Sequence, residues 1–371
     1  MDDLIYFSSP TVSTYDQSLR ERSYKYHEWF NLDHADVWPM HYTSRVTKLD
    51  TPWPLANSMA PLPDHVQSSE KRFDVVIESI AAEFAQLVKK TGRKPYVCWS
   101  GGIDSTAILV SVLKTCDQSF LENLTILLGK DIHQENSYFY HHFVKDRLDC
   151  QDIDGFRIDS SNYHKIIVVD GEAGNQIMGH AASYKLLYFN QEDLLDRDWK
   201  TIKNLTEIYT GSTDFHHELI QQSIKHAPLP ITTVYDYFWW LGFNFKFDDV
   251  LLRKMLSYAA YLTPEQSKDF WKHGLYRFYA HDLMQQWSMA TLDLRRQTCK
   301  RTPKYEQKKY IVEFDQNPFW FANKHQEMSM SDVFFKMKLT HPVFALDRAW
   351  KKYSFANQED RRFLGQILEK A

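Results

Sequence analysis

Residues 97–106 read Val-Cys-Trp-Ser-Gly-Gly-Ile-Asp-Ser-Thr, and that combination of types could bind an anion. An apolar, strand-like run over 96–99 enters the adjacent glycines Gly101 and Gly102, and an apolar, helix-like run over 107–113 leaves them. A strand, a glycine turn and a helix in this order aim backbone N–H groups and a helix N-terminus at one point. Ser100, Ser105 and Thr106 add hydroxyl donors for phosphate oxygens. Asp104 adds a carboxylate, which suits a phosphate site only if a cation comes too. The block therefore predicts a nucleotide whose pyrophosphate arrives with Mg²⁺. A Walker-type Gly-x-x-x-x-Gly-Lys-Ser/Thr loop is not present in the sequence.

Glycine is scarce, with 12 in 371 residues, about half the usual ~7%. Five of the twelve fall in two short segments: Gly101 and Gly102, then Gly171, Gly174 and Gly179. The second segment, Ile166-Ile167-Val168-Val169-Asp170-Gly171-Glu172-Ala173-Gly174-Asn175-Gln176-Ile177-Met178-Gly179, again reads as a buried strand, a glycine turn and a helix. In an open α/β sheet, ligands bind where such turns meet at the carboxyl ends of the strands. The two turns are expected to face one ligand.

Ser100-Gly101-Gly102-Ile103-Asp104-Ser105 resembles the PP-loop of the N-type ATP pyrophosphatases. These include asparagine synthetases, GMP and NAD synthetases, and several tRNA- and deazapurine-modifying enzymes. The 166–179 segment resembles the Gly-Glu-Gly-Ala-Asp-Glu-Leu-Phe-Gly-Gly motif of asparagine synthetases, and Leu127-Leu128-Gly129 with 134–148 resembles that family's next strand and helix. The likeness spans about Phe73 to Asn190, and more faintly 279–314. It implies an α/β fold, a parallel sheet flanked by helices with a mainly helical C-terminal lobe. By position, Glu172 matches the family's proposed general base. The family's metal-binding Asp is replaced here by Asn175 and the following Glu by Gln176, so the second metal ligand has lost its charge.

The resemblance implies an ATP-dependent, AMP-forming amide synthetase. A substrate carboxylate would attack the α-phosphorus of MgATP, and ammonia or a substrate amine would then displace AMP from the acyl-adenylate. Ser100, Gly101, Gly102, Ser105 and Thr106 would cradle the pyrophosphate; Asp104, with Asn175 as a weaker ligand, would hold Mg²⁺. Leu128, Gly129, Asp170 and Gly171 would line the adenosine. Lys308-Lys309-Tyr310-Ile311-Val312 resembles the Lys-x-x-Leu/Ile stretch that supplies a catalytic lysine; either lysine could match, and Lys308 is preferred. Two other readings stay open: a PP-loop enzyme that adenylates a base of a nucleotide or nucleic acid, and a nucleotide-binding protein that has lost catalysis.

Glutamine-dependent members of the family open with a glutaminase domain whose nucleophile is a Cys exposed after Met1. Here Asp2 follows Met1 and the first cysteine is Cys98. The chain is expected to take free ammonia, ammonia from a separate partner, or an amine of its substrate.

Positioning these groups calls for βαβ units. Strands are expected at about 96–99, 124–128 and 166–169. A preceding amphipathic helix over 69–90 is expected from Phe73, Val76, Ile77, Ile80, Ala81, Phe84, Leu87 and Val88. Residues 1–68 read as an aromatic-rich extension and a Pro-rich connector, 69–190 as the ATP-binding α/β domain, and 191–371 as a mainly helical lobe that completes the site.

Composition sets outer bounds. Net charge is −4, which argues against nucleic acid as the general partner. The sequence has no apolar run long enough to cross a bilayer, and the N-terminus lacks an apolar signal core. The cysteines Cys98, Cys116, Cys150 and Cys299 are isolated, which suits a reducing cytoplasm and disfavours relatives that need a zinc knuckle or a redox Cys pair. The pairs His141-His142 and His216-His217 are read as structural or surface residues, because neighbours on a helix point apart. The aromatic run 235–247 is read as core or as an acceptor-pocket wall. The basic run 295–309 is read as a solvated face, a set of pyrophosphate or carboxylate contacts, or an RNA-binding stripe.

Overall fold

The computed structural model describes residues 4–7, 44–46, 60–64, 70–130, 132–179, 183, 186–187, 190–202, 205, 214–258, 260–318, 320–321 and 343–355. In chain order its strands are β1 (Leu4–Phe7), β2 (Lys94–Trp99), β3 (Thr125–Leu128), β4 (Asp149–Asp152), β5 (Ile166–Val169), β6 (Leu275–Tyr276), β7 (Val343–Asp347) and β8 (Lys352–Phe355). The principal helices are α1 (Phe73–Thr91), α2 (Ile103–Thr115), α3 (Gln118–Asn123), α4 (Gly174–Met178), α5 (Asp214–Lys225), α6 (Val234–Leu241), α7 (Phe247–Tyr258), α8 (Pro264–His273), α9 (Asp282–Ala290), α10 (Leu292–Cys299) and α11 (Tyr305–Asp315). No helix among the described residues is long and apolar enough to cross a membrane.

The chain divides into two compact units, one of 63–178 and 254–327, the other of 1–62, 179–253 and 328–371. This differs from the division expected from the sequence. Residues 254–327 of the supposed helical lobe join the α/β unit, because their strand β6 completes its sheet and α9 and α11 pack on α1. The N-terminal aromatics Tyr24, Tyr26, Trp29, Phe30, Trp38 and Tyr42 lie outside the described residues.

In the α/β unit a five-stranded parallel sheet has the order β4-β3-β2-β5-β6. From β2 the chain moves outward through β3 to β4, then returns to the other side of β2 as β5. The β2/β5 pair is therefore the topological switch point, where an open parallel sheet leaves a crevice at its carboxyl end. The three strands expected from apolar runs are all present. β4 has only one half-buried and otherwise exposed residues, and β6 is two residues long, so neither carries an apolar signature.

Helix α1 forms where apolar residues recur every three to four positions, burying Phe73, Val76, Ile77, Ile80, Ala81, Phe84 and Val88. It stops at Gly92, whose left-handed φ of 64° lets its N–H bond Val88 O at 2.8 Å. Phe73 packs on Trp287 of α9 and on the edge of Tyr310 of α11, at centroid distances of 5.1 and 5.9 Å. Helix α2 is apolar almost all round, and residues 105–112 are buried. It is the central helix against which α1 and α11 pack.

The other unit holds an antiparallel sheet of order β1-β7-β8 and the aromatic helix α6. A capping box between Thr233 and Asp236 starts α6, and all eight of its residues are buried. Trp239 stacks on Phe243 at 4.6 Å, and the Trp240 indole donates to Ser223 Oγ at 3.1 Å. The aromatic run is thus core.

Candidate functional site at the sheet switch point

The first glycine turn leaves β2 and opens α2. Gly101 has φ 80°, and a Cβ there would lie 2.8 Å from Glu135 Cβ, so the position requires glycine on both counts. The turn is closed by its own hydroxyls. Ser105 Oγ accepts from Ser100 N at 3.2 Å and lies 3.1 Å from Ser100 Oγ, which itself accepts from Gly102 N at 3.2 Å. Thr106 has a different place from the other hydroxyls. It is fully buried, and its Oγ accepts from the Trp99 indole at 2.9 Å, tying strand to helix.

Beside the turn, Asn136 is buried and its Oδ1 accepts from Phe139 N, which fixes the orientation of the amide. Its Nδ2 is a buried donor with no partner among the described residues. Asn136 Cβ lies 3.4 Å from where a Cβ on Gly101 would stand. A buried donor of this kind is costly until a ligand or water accepts from it.

The neighbouring strand ends come in close. Gly129 donates to Trp99 O at 3.0 Å, and a Cβ there would lie 3.1 Å from Ser100 Cα. Half-buried Leu128 precedes it. The second glycine turn leaves β5 and packs on the start of α2. A Cβ on Gly171 would stand 3.1 Å from Ser105 N, and one on Gly174 would stand 2.4 Å from Asp104 Cγ. The two turns expected to face one ligand are in contact across the switch point.

Asp104 is the hub. Its Oδ2 is 2.5 Å from Lys304 Nζ, and its Oδ1 accepts from Gln307 Nε2 at 2.9 Å. Gln307 Nε2 also reaches Tyr279 Oη at 2.7 Å, and Tyr279 Oη donates to the Asp104 carbonyl at 2.9 Å. Burial holds the Tyr279 phenol well above its ordinary range, so it stays a donor. Gln307 and Tyr279 were not singled out from sequence, and Lys304 was read only as one cation of the basic run 295–309, with pyrophosphate or carboxylate contacts among its readings. Gln307 and Lys308 lie on α11, whereas Lys304 precedes its first residue with left-handed backbone, so helical spacing does not group it with them.

Glu172 is half-buried in the second turn, and its N–H donates to Asp170 Oδ1 at 3.1 Å. Asp170 is buried, with Oδ2 accepting from Tyr258 Oη at 3.1 Å, and Tyr258 Oη is 3.1 Å from Cys98 Sγ. Burial raises the Asp170 carboxyl and the Cys98 thiol, opposed by the nearby Lys254 cation. Asn175 is exposed. Lys308 is buried with Nζ donating to Thr302 Oγ1 at 2.6 Å, whereas Lys309 is on the solvent side, 3.7 Å from Glu313. The basic run is therefore not one face: Arg295 is buried over Trp287 and donates to Ser288 O, and Arg296 pairs with Asp293.

A resident Mg²⁺ does not fit this donor set. Both Asp104 oxygens are engaged by Lys304 and Gln307, and the second expected ligand, Asn175, is an exposed neutral amide that brings no charge. What the arrangement does offer is a glycine turn at a helix N-terminus, a buried amide donor, and a carboxylate neutralised by an ammonium.

Comparisons of the chain with protein-family models, with curated proteins and with solved structures each give no match.

Proposed function

We propose that the chain is a PP-loop, asparagine synthetase-like ligase that activates a substrate carboxylate with ATP and joins it to ammonia or an amine. The reading is carried by one observation: two glycine turns meet at the β2/β5 switch point around the start of α2. That is where an open parallel sheet binds nucleotides, and the α2 N-terminus favours negative charge there.

In this reading the pyrophosphate lies on the Ser100–Ser105 turn and receives the Asn136 Nδ2 donor. Leu128-Gly129 and Asp170-Gly171, at the ends of β3 and β5, border the nucleoside. An oxygen of the substrate carboxylate attacks the α-phosphorus, the bond to the β-phosphate oxygen breaks, and pyrophosphate leaves. The amine nitrogen then attacks the acyl carbon, Glu172 takes its proton, and AMP leaves with the bonding pair. Lys308 is assigned to the charge that develops on the acyl and phosphoryl oxygens. The partners are a small carboxylic acid and an amine or ammonia, the latter free or delivered by a separate protein.

A second reading, nucleotide binding without turnover, is favoured by the closed Asp104–Lys304–Gln307 network. Incubation with ATP and pools of carboxylic acids and amines separates the two. AMP and pyrophosphate in equal amounts support the ligase; ATP bound but intact supports the binding protein.

A further inference from the structure

An aspartate inside an anion-binding turn repels its ligand unless a cation sits with it. Here the cation comes from the chain itself. Lys304 Nζ is 2.5 Å from Asp104 Oδ2, with only 12% and 17% of the two side chains exposed, so bulk water screens the pair little. Gln307, one turn along the same helix, holds the other carboxylate oxygen at 2.9 Å. Gly174 presses on the carboxylate from the second turn, where even a Cβ would stand 2.6 Å from Oδ1. The carboxylate is thus enclosed by lysine, amide and glycine backbone.

Lys304 is held there by unusual backbone. It has φ 56° and ψ 40°, left-handed values that a non-glycine residue adopts only under constraint, and it is the residue from which α11 begins. Lys308 Nζ bonds Thr302 Oγ1 and pins the stretch leading into Lys304. An independent feature is Asn136, whose Cβ lies beside Gly101 and whose buried Nδ2 has no hydrogen-bond partner among the described residues, so a donor next to this turn is left for an acceptor.

We propose that Lys304 is the polyphosphate-receiving cation of this site, standing where a carboxylate-bound divalent ion would otherwise be needed. This rests on reading the turn as a nucleotide site. An ammonium has three donors and can hold a carboxylate oxygen and phosphate oxygens together. The Asp104–Lys304 pair is net neutral, so the α2 N-terminus and the buried amide leave the turn attractive to an anion.

The test uses the full chain with inorganic pyrophosphate and with ATP, by calorimetric titration in EDTA and in Mg²⁺. Wild-type protein is expected to bind pyrophosphate in EDTA within a few-fold of its affinity in Mg²⁺. Lys304→Met should weaken the EDTA binding at least about 10-fold, the scale of one charge-assisted contact. Lys309→Met, which removes a solvent-side ammonium from the same helix, should retain it, and the wild-type arm decides the matter if Lys304→Met fails a thermal-melt check of folding. Binding by wild type only with Mg²⁺ would overturn the inference and leave the nucleotide reading standing. Unchanged EDTA binding by a folded Lys304→Met would do the same. Absence of binding to either probe in both buffers would end the nucleotide reading, and this inference with it.

Discussion

Gly174 lies directly against the carboxylate of Asp104: a Cβ at 174 would stand 2.4 Å from Asp104 Cγ and 2.9 Å from its Cβ. This contact joins the two glycine turns. Gly174→Ala must therefore move Asp104 or the second turn. We expect a loss of about 1–3 kcal/mol in stability, as for overpacking a filled interior, and weaker ATP binding. Melting curves and ATP titration check both; a variant matching the parent in each would show that the turns do not depend on the contact.

Ala173 is buried with φ 67°, a left-handed conformation that strains an alanine. Ala173→Gly relieves the strain but loosens the unfolded chain, so a net gain of about 0.5–1 kcal/mol is expected. Denaturant unfolding measures it, and a destabilised variant would contradict the assignment of strain to this residue.

Asp315 ends α11 with one carboxylate oxygen accepting from Asn317 N at 2.9 Å and the other buried with no partner among the described residues; the Trp320 side chain also donates a hydrogen bond to the carboxyl group. Burial pushes its carboxyl up to about 6, against about 4 in the unfolded chain. The folded state then binds the proton more tightly, so this residue's contribution is complete below about pH 4 and is lost as pH rises through 6. Asp315→Asn should flatten that fall. Unfolding free energies of parent and variant compared at pH 4 and pH 7.5 report it; parallel pH profiles would refute it.

The adjacent lysines of α11 differ in surroundings. Lys308 is buried on Thr302, and Lys309 faces solvent beside Glu313. Lys309→Ala should leave stability within about 0.5 kcal/mol and activity within a few-fold. Lys308→Ala should cost about 100-fold or more in turnover with little change in ATP affinity, the signature of a group acting on developing charge. If ATP affinity falls in step with turnover, Lys308 acts only by holding the stretch that carries Lys304.

Strands β2, β3 and β5 were legible because each is a run of apolar residues entering a turn, and α1 because its apolar residues repeat with the helix. The meeting of the two glycine turns was legible from the scarcity of glycine elsewhere. β4 and β6 were not, since one is mostly exposed and the other is a two-residue pairing at the sheet edge. The hub partners were hidden for another reason. Lys304 and Asp104 are 200 positions apart, and Lys304 sits among other cations that the sequence cannot rank. Only the return of 254–327 to the α/β unit makes one of them the partner of Asp104.

If the switch-point turns bind ATP so that the bond between its α- and β-phosphates is broken, the nucleotide products reveal it when the chain is given ATP with pooled carboxylic acids and amines. AMP and pyrophosphate are expected in a one-to-one ratio, dependent on an added carboxylate and reduced in Gly174→Ala. ADP and orthophosphate as the stoichiometric products would contradict it.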